Sequence, residues 1–321
     1  MRVPQWLRSK KLWRRVATVV IVGVVGVLFT LALVENWAQV REQDLSFSWL
    51  WIAAIVLFAA AVPLSGVLWA AIVNRLSEPG LHVSVRDGVM VHSASWLLKY
   101  IPGQVGSLVN KVMWGAKQGF SRALIVITFI YENVFLQVAS IVPSAIILLV
   151  VAGPDAFALD GLTIVLAIAA AGLLVVVLTP PLFRRVLDVV SRRAIKRDLP
   201  PAYFLPVTAS AGFILAFTLP RVVNAFGFVA VVASFRPIEP SDWALLSAAY
   251  VLAGAIGILA VFVPSGLGVR EGVLAVCLVA GGFTIAESIV AAILARLLST
   301  AADAVVAMLY GSLRALSKKD S

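Results

Sequence analysis

The stretch Pro264-Ser265-Gly266-Leu267-Gly268-Val269-Arg270-Glu271-Gly272 interrupts an otherwise apolar region, residues 243–283. Its proline and clustered glycines remove helix propensity several times over, so a single continuous helix through the region is excluded. The region reads as a helix–break–helix hairpin, either re-entrant or a pair of full crossings. A second break, Pro102-Gly103-Gln104-Val105-Gly106, divides residues 85–119 in the same way, and that region carries Lys99 and Lys111. Pro102, Gly103 and Gly106, with Pro264, Gly266 and Gly268, are the expected breaks and hinge positions.

Six further apolar runs surround the two hairpins: 16–34, 49–73, 123–151, 162–179, 204–234 and 289–313. Each approaches or exceeds the roughly 20 residues that cross a bilayer. Lipid offers no partner to backbone N–H and C=O groups, so each run should be a helix. The composition agrees: the 321 residues are 61% hydrophobic and 13% charged, against about 45–50% and about 25% in soluble domains. The expectation is an all-α polytopic membrane protein, one integral domain with about six full spans and two broken hairpins. The basic start before the first run resembles a signal peptide, but the run ends in Glu35-Asn36-Trp37 and not in small residues, so it reads as a retained span.

Charge sets the orientation. Of the 26 Lys and Arg residues, nineteen fall in the N-terminal segment, the C-terminal segment and the loops on that same side. Only Arg41 and Arg236 fall on the other. This asymmetry predicts both termini to be cytoplasmic. It also accounts for the net charge of +10 without nucleic acid. Cys277 is the one cysteine, and His82 and His92 are the two histidines. No metal centre, cofactor motif, phosphate loop or activated nucleophile is legible, so neither an enzyme nor a cofactor is expected.

Pro102 and Pro264 stand 162 residues apart, about half the chain. Shifting 49–73 by that offset lands on 211–235, inside another span, and shifting one hairpin lands on the other. With the charge parity above, the hairpins open from opposite sides. The expectation is an inverted repeat, halves 1–160 and 161–321, with broken helices around a midplane site.

Ionisable side chains inside spans are functional candidates by default. Glu132 lies deep in 123–151, beside Asn133 and Gln137. Arg221 interrupts the fifth run, and Arg296 and Asp303 share a face of the last. Arg270 and Glu271 follow the second break. Arginine's planar fork suits a phosphate, and the helix N-termini at 104–107 and 268–271 offer free N–H groups to the same anion. Arg296, Arg221, Glu132, Arg270 and Glu271 are therefore the expected substrate-binding residues, with the two span arginines on phosphate and Glu132 balancing them. The competing reading is structural pairing, of Glu132 with Arg221 or Arg296 and of Arg296 with Asp303. Lys99, Lys111 and Arg122 read as contacts to anionic headgroups at the inner surface.

Lys99-Tyr100-Ile101-Pro102-Gly103-Gln104-Val105-Gly106 and Pro264 to Gly272, followed by Ala295-Arg296-Leu297-Leu298-Ser299, resemble the two signatures of the lysylphosphatidylglycerol synthase transmembrane-region family. Tyr131-Glu132-Asn133 sits where that family carries an acidic residue. The resemblance implies a flippase-like module moving a lipid between leaflets, here without the aminoacyl-transferase domain that is fused to the best-known members. The partner it implies is a membrane lipid with an anionic or aminoacylated headgroup. A homo-oligomer and a separate lipid-modifying enzyme are further partners to test for. A transporter of a small soluble substrate and a non-catalytic scaffold of envelope biogenesis are the alternatives.

Overall fold

A computed structural model describes residues 47–100, 105–151, 200–260 and 266–317, together with Val263 and a few single positions between 172 and 189. The expected spans 16–34 and 162–179, and Pro102, Gly103 and Pro264, lie outside the described residues. The described part holds eight α-helices and no strand. They are α1 (Trp49–Leu76), α2 (Val85–Leu97), α3 (Val105–Lys117), α4 (Arg122–Val151), α5 (Val207–Ala233), α6 (Asp242–Leu259), α7 (Val269–Ala280) and α8 (Ile285–Ser317). The four long runs that fall on described residues are α1, α4, α5 and α8.

Five helical segments are long and apolar enough to cross a membrane, the fifth being α6. At 1.5 Å per residue the 18 residues of α6 extend about 27 Å, close to the hydrocarbon thickness of about 30 Å. Its hairpin partner α7 has 12 residues, and α2 and α3 have 13 each. At about 18–20 Å these three are too short to cross alone. The two hairpins are thus unequal, with one spanning-length arm in the second.

The order long helix, hairpin, long helix occurs twice, as α1–α4 and as α5–α8. The packing repeats as well. α1 lies on α2, α4 and α8, and correspondingly α5 lies on α6, α8 and α4; α2 contacts α3 and α8, and α6 contacts α7 and α4. Helices α1 and α5, which exchange under this correspondence, pack against each other. They run antiparallel: Trp51 Nε1 donates to Ser234 Oγ at 2.9 Å, while Phe58, about two turns further along α1, meets Gly227, earlier in α5. A Cβ on Gly227 would come within 2.7 Å of the Phe58 ring, so that approach requires glycine.

The second break is built on another close approach. Gly266 has φ +63°, and a Cβ there would sit 2.7 Å from the Gly257 Cα of α6. Backbone packs on backbone, in a conformation that side chains disfavour. Gly268, at φ +83°, then precedes α7.

The basic residues collect at one end of the bundle. Arg86 at the start of α2 reaches the Leu313 carbonyl near the end of α8, at 3.4 Å. Arg75 and Arg314 stand in the last turns of α1 and α8. At the opposite end Arg236 pairs with Glu287 at 3.0 Å and lies over the Phe283 ring.

Candidate functional site

A cavity of about 670 Å³ opens between the two hairpins. Residues on both sides of each break line it: Lys99 and Ser107 from the first, Ala260 and Gly266 from the second. Most of its wall is apolar, with Phe58, Val62, Ile141 and Ile258 among the contributors. Set into that wall are Lys99, Arg221, Arg270, His92, Glu132 and Asp303.

Both carboxylates on the wall are matched by cations. Glu132, buried on α4, pairs through Oε2 with the ammonium of Lys111 on α3, and through Oε1 with His92 Nδ1 on α2 at 2.9 Å. One carboxylate therefore joins both arms of the first hairpin to the helix that follows. Lys111 is 1% exposed, with its ammonium 4.5 Å from the Trp69 ring centre. Such burial is stable only when the charge is paired and surrounded by partners. Asp303 on α8 accepts from Lys99 at 2.7 Å and from Trp96 Nε1 at 2.8 Å, closing α8 onto the rim of the first break. Lys99 also lies over the Trp96 ring.

The arginines of the wall are different. Arg221 follows Pro220 inside α5, where proline already removes one backbone donor. Arg270 lies in the first turn of α7, its guanidinium 4.5 Å from the ring centre of Tyr250. Tyr250 itself stacks with Phe58 and Phe228. Among the described residues no carboxylate stands within ion-pair distance of either arginine, and Arg221 Nε is buried without a hydrogen-bond partner.

Of the expected binding residues, Arg221, Arg270 and Glu132 face this cavity, while Arg296 and Glu271 are not on its wall. Glu271 accepts from the Gly268 N–H at 2.6 Å and faces Arg296 at 3.6 Å. One of the N–H groups expected to receive an anion at the second break is thus taken by the protein's own carboxylate, a helix-start arrangement. Gly106 is in the first turn of α3 beside the first break, and Gly266 and Gly268 form the second. The pairing expected for Glu132 is corrected: its partners are Lys111 and His92, not an arginine. Lys111 is likewise corrected from a surface headgroup contact to a buried ion. Sequence reading missed this cluster because Lys111, His92 and Glu132 lie on three helices. A lysine in the middle of an apolar hairpin arm was the available signal. Tyr250, the platform under Arg270, carried none.

These features define a helical, multi-pass membrane protein with charged residues set into a mostly apolar cavity between two helical hairpins. The chain belongs to the family described as lysylphosphatidylglycerol synthase TM region, which it matches over residues 16–307. The match is to that membrane region, and no synthase domain is detected within the 321 residues. A search of curated proteins gave no significant match.

Proposed function

We propose that the protein is a lipid translocase of the bacterial inner membrane, with both termini cytoplasmic, in which an anionic headgroup enters the cavity while the acyl chains stay in lipid. The observation that carries this reading is the pair Arg221 and Arg270, lining one cavity with no carboxylate partner among the described residues. Two half-buried cations set into a mostly apolar wall are costly alone. A phosphate offers each guanidinium two oxygens in the plane of its fork, which offsets that cost. The apolar remainder of the wall favours a lipid over a small soluble metabolite.

The other residues take supporting parts in this proposal. Glu132 holds the first hairpin through Lys111 and His92. Glu271 and Arg296 position the start of α7, and hence Arg270. The doubled element order, with α1 and α5 antiparallel, supports halves related by inversion, provided the segment between α4 and α5 crosses the membrane once. The short arms α2 and α3 support a re-entrant first hairpin.

The test is translocation of tail-labelled lipids in proteoliposomes of the purified protein. Wild type should move an anionic lipid, and Arg221→Ala and Arg270→Ala should each slow it at least tenfold while remaining folded. Full activity in both variants would overturn the assignment.

A further inference from the structure

His92 lies on α2 and on the cavity wall, 7% exposed. Its Nδ1 stands 2.9 Å from Glu132 Oε1 and 3.3 Å from the Lys111 ammonium. A carboxylate can only accept, so the contact at 2.9 Å places a ring proton on Nδ1. In a neutral imidazole the hydrogen bond at one nitrogen decides the state of the other, so Nε2 carries a bare lone pair. Nε2 makes no hydrogen bond among the described residues. Yet it is not one of the four atoms that are both unpartnered and sealed from accessible surface, Trp69 Nε1, Ser93 Oγ, Gln137 Oε1 and Arg221 Nε. It therefore keeps accessible surface, and the space that His92 borders is the cavity.

The surroundings single out Nε2 as the place where a proton enters. Glu132 has a donor on each oxygen, and the Lys111 charge is matched by that carboxylate. Arg86 and Asp87 stand more than a turn away, at the start of α2 itself. Helix α1 presses its backbone on the root of the side chain, since a Cβ at Gly66 would come within 3.0 Å of His92 Cβ. Its charged residue, Arg75, is far off in its last turn. The turn after α2 brings Lys99 and α8 brings Asp303, which pair with each other. Across the cavity stand Arg221, Tyr250 and Arg270. The charge interactions of His92 are with Lys111 and Glu132. Ammonium, carboxylate and neutral imidazole sum to no net charge. A proton added at Nε2 forms one N–H bond from the lone pair, leaves Nδ1–H bonded to Glu132, and makes the set a net cation.

We infer that His92 Nε2 is a proton-binding site open to the cavity. Resting on the reading of that cavity as a passage for an anionic headgroup, we infer also that a proton held there favours the anion, because it adds positive charge to a wall already carrying Arg221 and Arg270. Linkage is reciprocal, so the anion favours the proton by the same factor.

The chain has two histidines, and the other, His82, is exposed. Imidazole nitrogen NMR of the intact, histidine-labelled protein in lipid nanodiscs therefore reports two residues, which His82→Asn assigns. At about pH 8 His92 should show Nδ1–H and a bare Nε2, and Nε2 should gain its proton on acidification to about pH 5. An Nε2 already protonated at the upper end, or still bare at the lower end, overturns the proton site. Replacing phosphatidylcholine by phosphatidylglycerol in the nanodisc should raise the proton affinity of His92 about fivefold beyond any rise at His82, the low end of coupling between sites. His82 reports the surface potential, so equal rises at the two residues overturn the link to the anion. None of these spectra requires lipid to move.

Proteoliposomes then test the link in action. The amount of tail-labelled phosphatidylglycerol that gives half the maximal rate should fall about fivefold from about pH 8 to about pH 5.5 in wild type. His92→Gln, whose amide can still donate to Glu132, should flatten that profile. A folded His92→Gln with the wild-type profile removes His92 from the coupling, and if that variant does not fold, the wild-type spectra decide. If no lipid moves at any pH, the translocase reading fails while the spectra still judge the proton site.

Discussion

The two halves each use one ion pair to join the second arm of a hairpin to the long helix after it, and they exchange the signs. In the first half the cation, Lys111, is on the hairpin and the anion, Glu132, is on α4. In the second half the anion, Glu271, is on the hairpin and the cation, Arg296, is on α8. Their surroundings differ as much as their signs. The side chains of Lys111 and Glu132 are 1% and 3% exposed, with His92 as a third member. Those of Glu271 and Arg296 are 12% and 22% exposed, at a longer separation of 3.6 Å. A fully buried, closely paired ion is costly to leave alone, whereas a partly exposed pair at a longer separation contributes less. The first hairpin is therefore the firmly anchored one, and the second is held more loosely beside the arginine that faces the cavity.

Removing half of the buried pair should produce the largest effect. Glu132→Gln leaves Lys111 buried without a counter-charge and should lower stability by about 3–5 kcal/mol, read as a large loss of thermal stability in detergent. The double variant Lys111→Met/Glu132→Leu removes both charges and should recover most of that loss. If single and double variants are equally unstable, the pair is not what anchors the hairpin.

Next in size is the second break itself. Gly266→Ala demands a positive φ from alanine and pushes its Cβ onto Gly257, which should cost about 2 kcal/mol or more. Gly80→Ala makes a fair control, since Gly80 has φ +94° with nothing within 4 Å of a Cβ. The control isolates the backbone cost from the close approach, so equal melting shifts would show that the approach to α6 contributes nothing.

The partly exposed pair should matter less for stability. Arg296→Gln should cost roughly 1 kcal/mol, between the surface and buried limits, yet slow lipid movement about tenfold through the loosened start of α7 and Arg270. Loss of folding in Arg296→Gln comparable to that of Glu132→Gln would abolish the contrast between the halves. Glu271→Gln breaks the same pair but keeps an acceptor for the Gly268 N–H, so its cost should be no larger, roughly 1 kcal/mol or less in thermal melts.

Much of this arrangement was legible in the chain. Apolar length alone located α1, α4, α5 and α8, because lipid forces every spanning backbone into a helix. The proline and glycine clusters fall between α2 and α3 and between α6 and α7, and Gly266 is needed twice over, for its φ and for the approach to Gly257. Glu132 and Arg221 stood out because charges in apolar runs are rare. Their partners did not stand out. The expected pairing of Glu132 with an arginine relied on charge type, while Lys111 and His92 reached it only because α2 and α3 fold back against α4. The spanning length of α6 was hidden too, since the apolar region containing it ran on through the break.

The sequence by itself determined the class of protein, the spans at α1, α4, α5 and α8 and the candidate charges, because these follow from transfer into lipid and from local backbone chemistry. Only the tertiary structure decided which charges neutralise one another and which two arginines remain facing the cavity, because an ion pair depends on distances between helices that no spacing along the chain contains.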